Sequence, residues 1–313
     1  MTTYLVRRLL LLPLVLLGVL TLTFLLIQLI PGDPAVYIAG ADAPPQVVER
    51  IRAQYALDRP VWEQYMIYVG GAIRGDFGRS LVSRARVSVD VVRTLPNTLT
   101  LVAFAWTWAM LSAIGLGTFA AVNRGKLVDR AATVVAITGL SVPIFFTGLA
   151  LMWLFAYRWG WLPLLGMHRP VLTWKGLSHI VLPAFTLGVT YMATLTRLTR
   201  SAMLEVLRQD YIITARSKGI HERVIIFKHA LKNAMLPVVT VMGAQLVHMF
   251  GGAVVCETIF AWPGMGRLSV TAVLANDFPV IQGVVVVTGL ASVVLNLIVD
   301  LFYAILDPRI RYS

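Results

Sequence analysis

The chain has 313 residues, of which 58% are hydrophobic and 13% charged, with a mean hydropathy of +0.77. Soluble domains carry about 25% charged residues, so an ordinary soluble domain is excluded. The net charge of +12 would suggest nucleic acid in a soluble protein; in a chain this apolar it fits the basic loops that orient membrane helices, and no nucleic-acid partner is expected.

Six apolar blocks follow one another: Leu9–Ile30, Leu99–Val122, Ala131–Tyr157, Ile180–Leu198, Leu236–Cys256 and Val280–Leu306. Each is near or above the roughly 20 residues needed to cross a bilayer. The predicted fold is therefore all-α and transmembrane, with membrane lipid as its surroundings. The first block follows Arg7 and Arg8 and exceeds the about 7–15 residues of a secretory-signal core. Residues 1–30 are read as a retained transmembrane helix. Residues 31–96 form a loop with two amphipathic pieces, Val47–Leu57 and Val61–Ile73. Residues 97–306 form a five-helix core that contains a loop at 200–235, and 307–313 form a tail.

Basic residues set the orientation. Fifteen Lys and Arg lie on the side of the N-terminus, including Arg124, Lys126 and Arg130 after the second block and the run Arg197–Lys232 after the fourth. Twelve lie on the other side, eight of them between Arg50 and Arg93, beside seven acids. Long loops translocate largely regardless of charge. Both termini and the 200–235 loop are therefore expected in the cytoplasm.

Few groups inside the blocks can ionise. His248 is the main candidate and Asp300 lies toward the end of the last block; Gln28, Gln245 and Asn296 are uncharged. Intramembrane charge marks proton relays and ion-coupled carriers, so its scarcity argues against both. No Ser/His/Asp set or paired carboxylate is placed for catalysis. Neither catalytic nor metal-binding residues are expected, and His248 is expected to be a hydrogen-bonded packing residue. The single cysteine, Cys256, excludes an internal disulfide and a cysteine-rich metal cluster. Gly115, Gly117, Gly139, Ser141 and Gly148 suit close helix packing, and Pro143 is predicted to kink the third block. Gly125-Lys126 lacks the spacing of a phosphate loop, so no nucleotide cofactor is expected in this chain.

The 200–235 loop contains "DYIITARSKG", Asp210–Gly219. Asp210 is a predicted N-cap, Lys218 suits the last turn and Gly219 suits a left-handed C′ position. The helix between them, Tyr211–Lys218, is about 12 Å long, too short to be stable alone in water. Tyr211, Ile212 and Ala215 share one side. That side either enters a groove on another protein or packs on its own bundle.

The stretch "DYIITARSKGIHERVIIFKHALKNAMLPVV" resembles the EAA loop of ABC importer permeases. The form is that of the B-type permease subunit of dipeptide, oligopeptide and nickel importers. Glu205, Asp210, Tyr211, Thr214, Ala215, Arg216, Lys218, Gly219, His229 and Asn233 match that form. Ile213 stands where Arg is frequent, and Ser217 where Ala is usual. The segments Leu29–Ala35, Gly75–Ser80, Gly139–Gly148, Glu257–Leu268 and Leu306–Arg311 resemble the same family in the same order.

The resemblance implies a six-helix type I importer permease in the bacterial inner membrane. Two homologous permease subunits would enclose the pathway, and each would insert a coupling helix, here Asp210–Gly219 with Ser217, into one of two cytoplasmic ATPases that bind the ATP. An external binding protein would deliver the substrate, most readily a di- or oligopeptide. Nickel chelates, glutathione and oligosaccharides are alternatives within the same type, and an ATPase-independent channel or carrier is an alternative outside it. Glu257, Trp262, Pro263, Gly264 and Gly266 would contact the binding protein or form a gate, or else cap the bundle.

Overall fold

The structure, a computed structural model, describes residues 2–29, 33–39, 43–54 and 56–306. In chain order the helices are α1 (Thr2–Gln28), α2 (Pro34–Ala39), α3 (Pro45–Gln54), α4 (Val61–Ile73), α5 (Val87–Val122), α6 (Leu127–Ser141), α7 (Ile144–Leu151), α8 (Trp174–Val206), α9 (Asp210–Ser217), α10 (Glu222–Val224), α11 (Leu231–Ile259), α12 (Met265–Leu274) and α13 (Phe278–Leu306). A π-helical segment, Met152–Arg158, continues α7, and a second, Ile225–Ala230, joins α10 to α11. Lipid tails offer no hydrogen bonds, so apolar runs satisfy their backbones as helices.

The six apolar blocks fall on α1, α5, the α6–α7 pair, α8, α11 and α13. Among the described residues, four helices are long and apolar enough to span a bilayer, and the α6–α7 pair makes a fifth if its two bent halves are taken as one broken span. The described apolar stretch of α1, Leu12–Leu25, is shorter.

Several boundaries differ from expectation. Pro143 does more than kink the third block: α6 stops at Ser141, α7 starts at Ile144, and the two are bent by 109°. Pro143 lacks an N–H and disfavours helical geometry in the residue before it, and Val142 is extended (ψ 124°). The loop boundary drawn at 96 lies inside α5, which begins at Val87 with Asp90 in its first turn. Polar residues there continue the helix beyond its apolar block. The piece expected at Val47–Leu57 is α3, and the one at Val61–Ile73 coincides with α4. The 307–313 tail and the side chain of Asp300 lie outside what the structure describes.

The chain divides into two compact units, residues 98–263 with the described residues from 294 on, and residues 2–97 with 264–293. In the first unit, α8 is the central helix. Met192, Leu195 and Met203 are buried among Ala109, Ala113 and Ala121 of α5 and Ala234, Val238 and Met242 of α11. Small residues let the helices approach closely. A Cβ on Gly117 would lie 2.6 Å from Cβ of Thr199 and 2.8 Å from the Thr196 carbonyl oxygen. Gly117→Val is therefore expected to force α5 from α8 and cost about 1–3 kcal/mol. A lowered thermal unfolding midpoint in detergent checks this; an unchanged midpoint contradicts it.

In the second unit, Val87 and Val91 pack with Met265, Ala272, Val280 and Val284. Asp277, buried just before α13, accepts hydrogen bonds from Ser80 Oγ at 2.5 Å and from the Leu81 and Val82 N–H groups at 3.0 and 3.4 Å. That carboxylate holds the 79–86 turn against the start of α13.

Candidate functional site

The 200–235 loop is built on the end of α8. The Arg208 and Gln209 N–H groups donate to Glu205 and Val206 carbonyls, which turns the chain sharply, and Gln209 is extended (ψ 149°). α9 then runs from Asp210 to Ser217. Gln209, not Asp210, is the N-cap, and it makes no side-chain cap bond. Asp210 falls one residue later than expected because the turn uses Gln209 as its extended residue. Its charge in the first turn still favours the helix dipole.

The other end is as expected. Gly219 is left-handed (φ +75°). Its N–H donates to the Arg216 carbonyl at 2.9 Å, and the Ile220 N–H to the Ala215 carbonyl at 3.3 Å. This pair of bonds closes a Schellman motif.

Of the two alternatives for the apolar side of α9, packing on its own bundle is the one observed. Ile212 is fully buried, and Ala215 packs against the same core as Ile225, Ala230 and Ala234. The apolar side holds the helix to its own bundle. Tyr211 is at the edge, 40% exposed, and its hydroxyl accepts a bond from Asn233 Nδ2 at 2.7 Å. Asn233 Nδ2 also donates to the His229 carbonyl, within the π-helical segment. Arg216 makes a bidentate pair with Glu222, at 3.1 and 2.6 Å. Both partners are substantially exposed, so the pair shapes the loop more than it stabilises it.

The outward face consists of Asp210, Ile213, Thr214 and Ser217, with Lys218 at the end; all are exposed. Their i, i+3, i+4 and i+7 spacing makes one stripe. Thr214 and Ser217 hydroxyls donate back to the Asp210 and Ile213 carbonyls. Ile213, 53% exposed, is the large apolar side chain in the middle. Glu205 is exposed at the end of α8, and His229 is half-buried. The outward stripe was missed because Ile213 looked like a departure from a charged position, and Glu222 was missed as the partner of Arg216.

The second predicted cluster lies at the end of α11. Glu257 is fully buried and accepts a 2.6 Å hydrogen bond from Thr98 Oγ1. Trp262 is also fully buried, and its N–H donates to the Glu257 carbonyl at 2.9 Å. The Phe260 carbonyl accepts from the Gly166 N–H at 2.8 Å. Gly264 and Gly266 are buried, and Pro263 is exposed. Of this cluster, Pro263 is the residue that lies exposed, and the other four are buried within the chain. An aromatic ring the size of Trp stabilises a bundle end best when buried, and the tight turn at Ala261 (φ +49°) folds it inward.

His248 is not the hydrogen-bonded packing residue expected: it is exposed on α11. Asp129 was not singled out, yet it is 5% exposed and bridges α6 to α8, accepting from Arg200 Nε at 2.5 Å, Arg200 Nη2 at 2.9 Å and the Gly125 N–H at 2.8 Å.

Long apolar helices, with a short helix held on their surface, define a polytopic membrane protein. Comparison with known proteins gives the family. Residues 113–312 match the family described as binding-protein-dependent transport system inner membrane component, and residues 1–102 match its N-terminal region. The chain belongs to this family and is an ABC importer permease, not an enzyme. It is 41% identical to the glutathione transport system permease protein GsiC of Escherichia coli K12 and 43% identical to that of Salmonella typhi, over all 313 residues and the full length of each relative. The fold is also similar to the methionine transporter MetNI in inward-facing conformations, with a TM-score of 0.58 at 16% identity, over 70% of this chain and 96% of that one.

Proposed function

We propose that this chain forms half of the translocation pathway of an ATP-driven importer of short peptides, with glutathione as the first substrate to test. The full-length identity to glutathione permeases supports that substrate. The second half would be a homologous permease subunit, and each half would engage one of two ATPases.

The observation that carries the coupling role is α9. A helix of eight residues is held by its own apolar face and presents Asp210, Ile213, Thr214 and Ser217 outward. A groove that grips this stripe in one nucleotide state better than in another shifts the permease between its two openings. No chemistry in this chain is required. Glu257 and Trp262 would then hold the opposite end of α11 rigid, so that displacement at α9 is carried along the helix.

Exposed His248 lies on a stripe with Ala244 and Gly251 on α11. An imidazole facing lipid at that depth is costly. A face toward the substrate pathway or the second subunit removes that cost.

The orientation is supported by the excess of Lys and Arg on the α9 side. In cells, a thiol reagent that cannot cross the membrane is expected to label Ser83→Cys from outside, and Ser217→Cys only after the membrane is opened. The reverse pattern would overturn the orientation. Uptake of labelled glutathione, competed by dipeptides, tests the substrate: uptake of neither would sink this reading.

A further inference from the structure

A cleft of about 160 Å³ lies between α6 and α8, lined by Ala132, Ala136, Ile137 and Leu140 on one side and by Thr196, Arg197 and Arg200 on the other. Its floor is apolar, and its rim is basic at one end only. Arg200 is committed to Asp129. Arg197 is exposed and has no ion pair among the described residues. Arg124, Lys126 and Arg130, exposed beside the start of α6, add positive charge nearby. Thr196 is 3% exposed, lines the cleft, and its hydroxyl has no hydrogen-bond partner among the described residues. Thr118, Thr186 and Thr199 hydroxyls are in the same state, so the exposed guanidinium of Arg197 is the group that marks the cleft's polar end.

The depth of these groups matters. From Ala132 to Leu140 the cleft follows α6 for about 12 Å, from the basic end into the span. Charge at the water interface and grease below it match a phospholipid, not a soluble anion.

We propose that this cleft binds an anionic phospholipid of the cytoplasmic leaflet. Its phosphate would lie against Arg197, and one acyl chain would lie along Ala136 and Leu140. Leu140 is one residue before the end of α6 and three before Pro143, so the bound chain flanks the break between α6 and α7. The proposal rests on the cytoplasmic placement of this end, which the cysteine labelling above tests separately.

The test uses the full-length permease with its partner subunits, in nanodiscs of phosphatidylethanolamine with phosphatidylglycerol, and native mass spectrometry to count retained lipid. The wild type is expected to retain phosphatidylglycerol in preference to phosphatidylethanolamine. Arg197→Gln is expected to lower that preference about fivefold, the effect of one basic residue near an anionic surface. Ala136→Trp, which fills the floor, is expected to lower retention of both lipids. Identical retention by wild type and Arg197→Gln overturns the proposal. So does release of the second permease subunit by Ala136→Trp without loss of lipid, which would make the cleft a protein interface. If Ala136→Trp does not fold, Arg197→Gln alone decides.

Discussion

Ile213→Asp is expected to lower ATP-driven uptake by at least about tenfold while the permease still folds and inserts. The reason is the division of faces on α9. Ile212 and Ala215 hold the helix to its own core, so substitutions there damage the bundle itself. Ile213 points away, 53% exposed, and an exposed apolar residue at the centre of a helical stripe is the anchor expected of a helix-in-groove contact. Loss of a central interface anchor typically costs about 2 kcal/mol or more, which is more than tenfold in affinity. The measurement pairs uptake in reconstituted vesicles with co-purification of the ATPase. Ala215→Asp serves as the contrast, because it should lower the amount of folded permease. Normal uptake by Ile213→Asp at wild-type ATPase occupancy would remove α9 from the coupling role.

Asp129→Ala is expected to destabilise the first unit by about 3 kcal/mol, the lower end for breaking a buried ion pair, because the Arg200 side chain keeps 31% exposure. The change strips Arg200 of both its hydrogen bonds and the Gly125 N–H of its acceptor. Asp129→Leu combined with Arg200→Met should recover most of the loss, since no uncompensated charge then remains between α6 and α8. Thermal unfolding in detergent decides. A double variant no more stable than Asp129→Ala would show that the pair acts through more than charge compensation.

How much of this was readable in the sequence depended on which signals were local. The blocks on α5, α8, α11 and α13 were legible because a bilayer demands long apolar runs. Gly219 was legible as a cap because one residue type dominates that position. The apolar side of α9 with Ile212 and Ala215 was legible, but what it packs on was not, because an isolated eight-residue helix does not carry that information; only the cores of α8 and α11 decide it. Asp129 is paired with a residue 71 positions away, and no local pattern reveals that. The buried state of Glu257 was hidden for the same reason: its partner Thr98 is far along the chain, immediately before the second block.

The break at Ser141–Ile144 has a consequence for how the chain is made. A continuous apolar helix can leave the translocon alone, since its backbone is closed on itself. The third block turns through 109° between Ser141 and Ile144, and every helix end has backbone groups without intrahelical partners. Next to the break α8 packs closely: a Cβ on Gly139 would lie 3.1 Å from Cβ of Ala193 on that helix. The third and fourth spans are therefore expected to enter the bilayer as a pair, and the third to be the span most often lost when synthesis is interrupted between them.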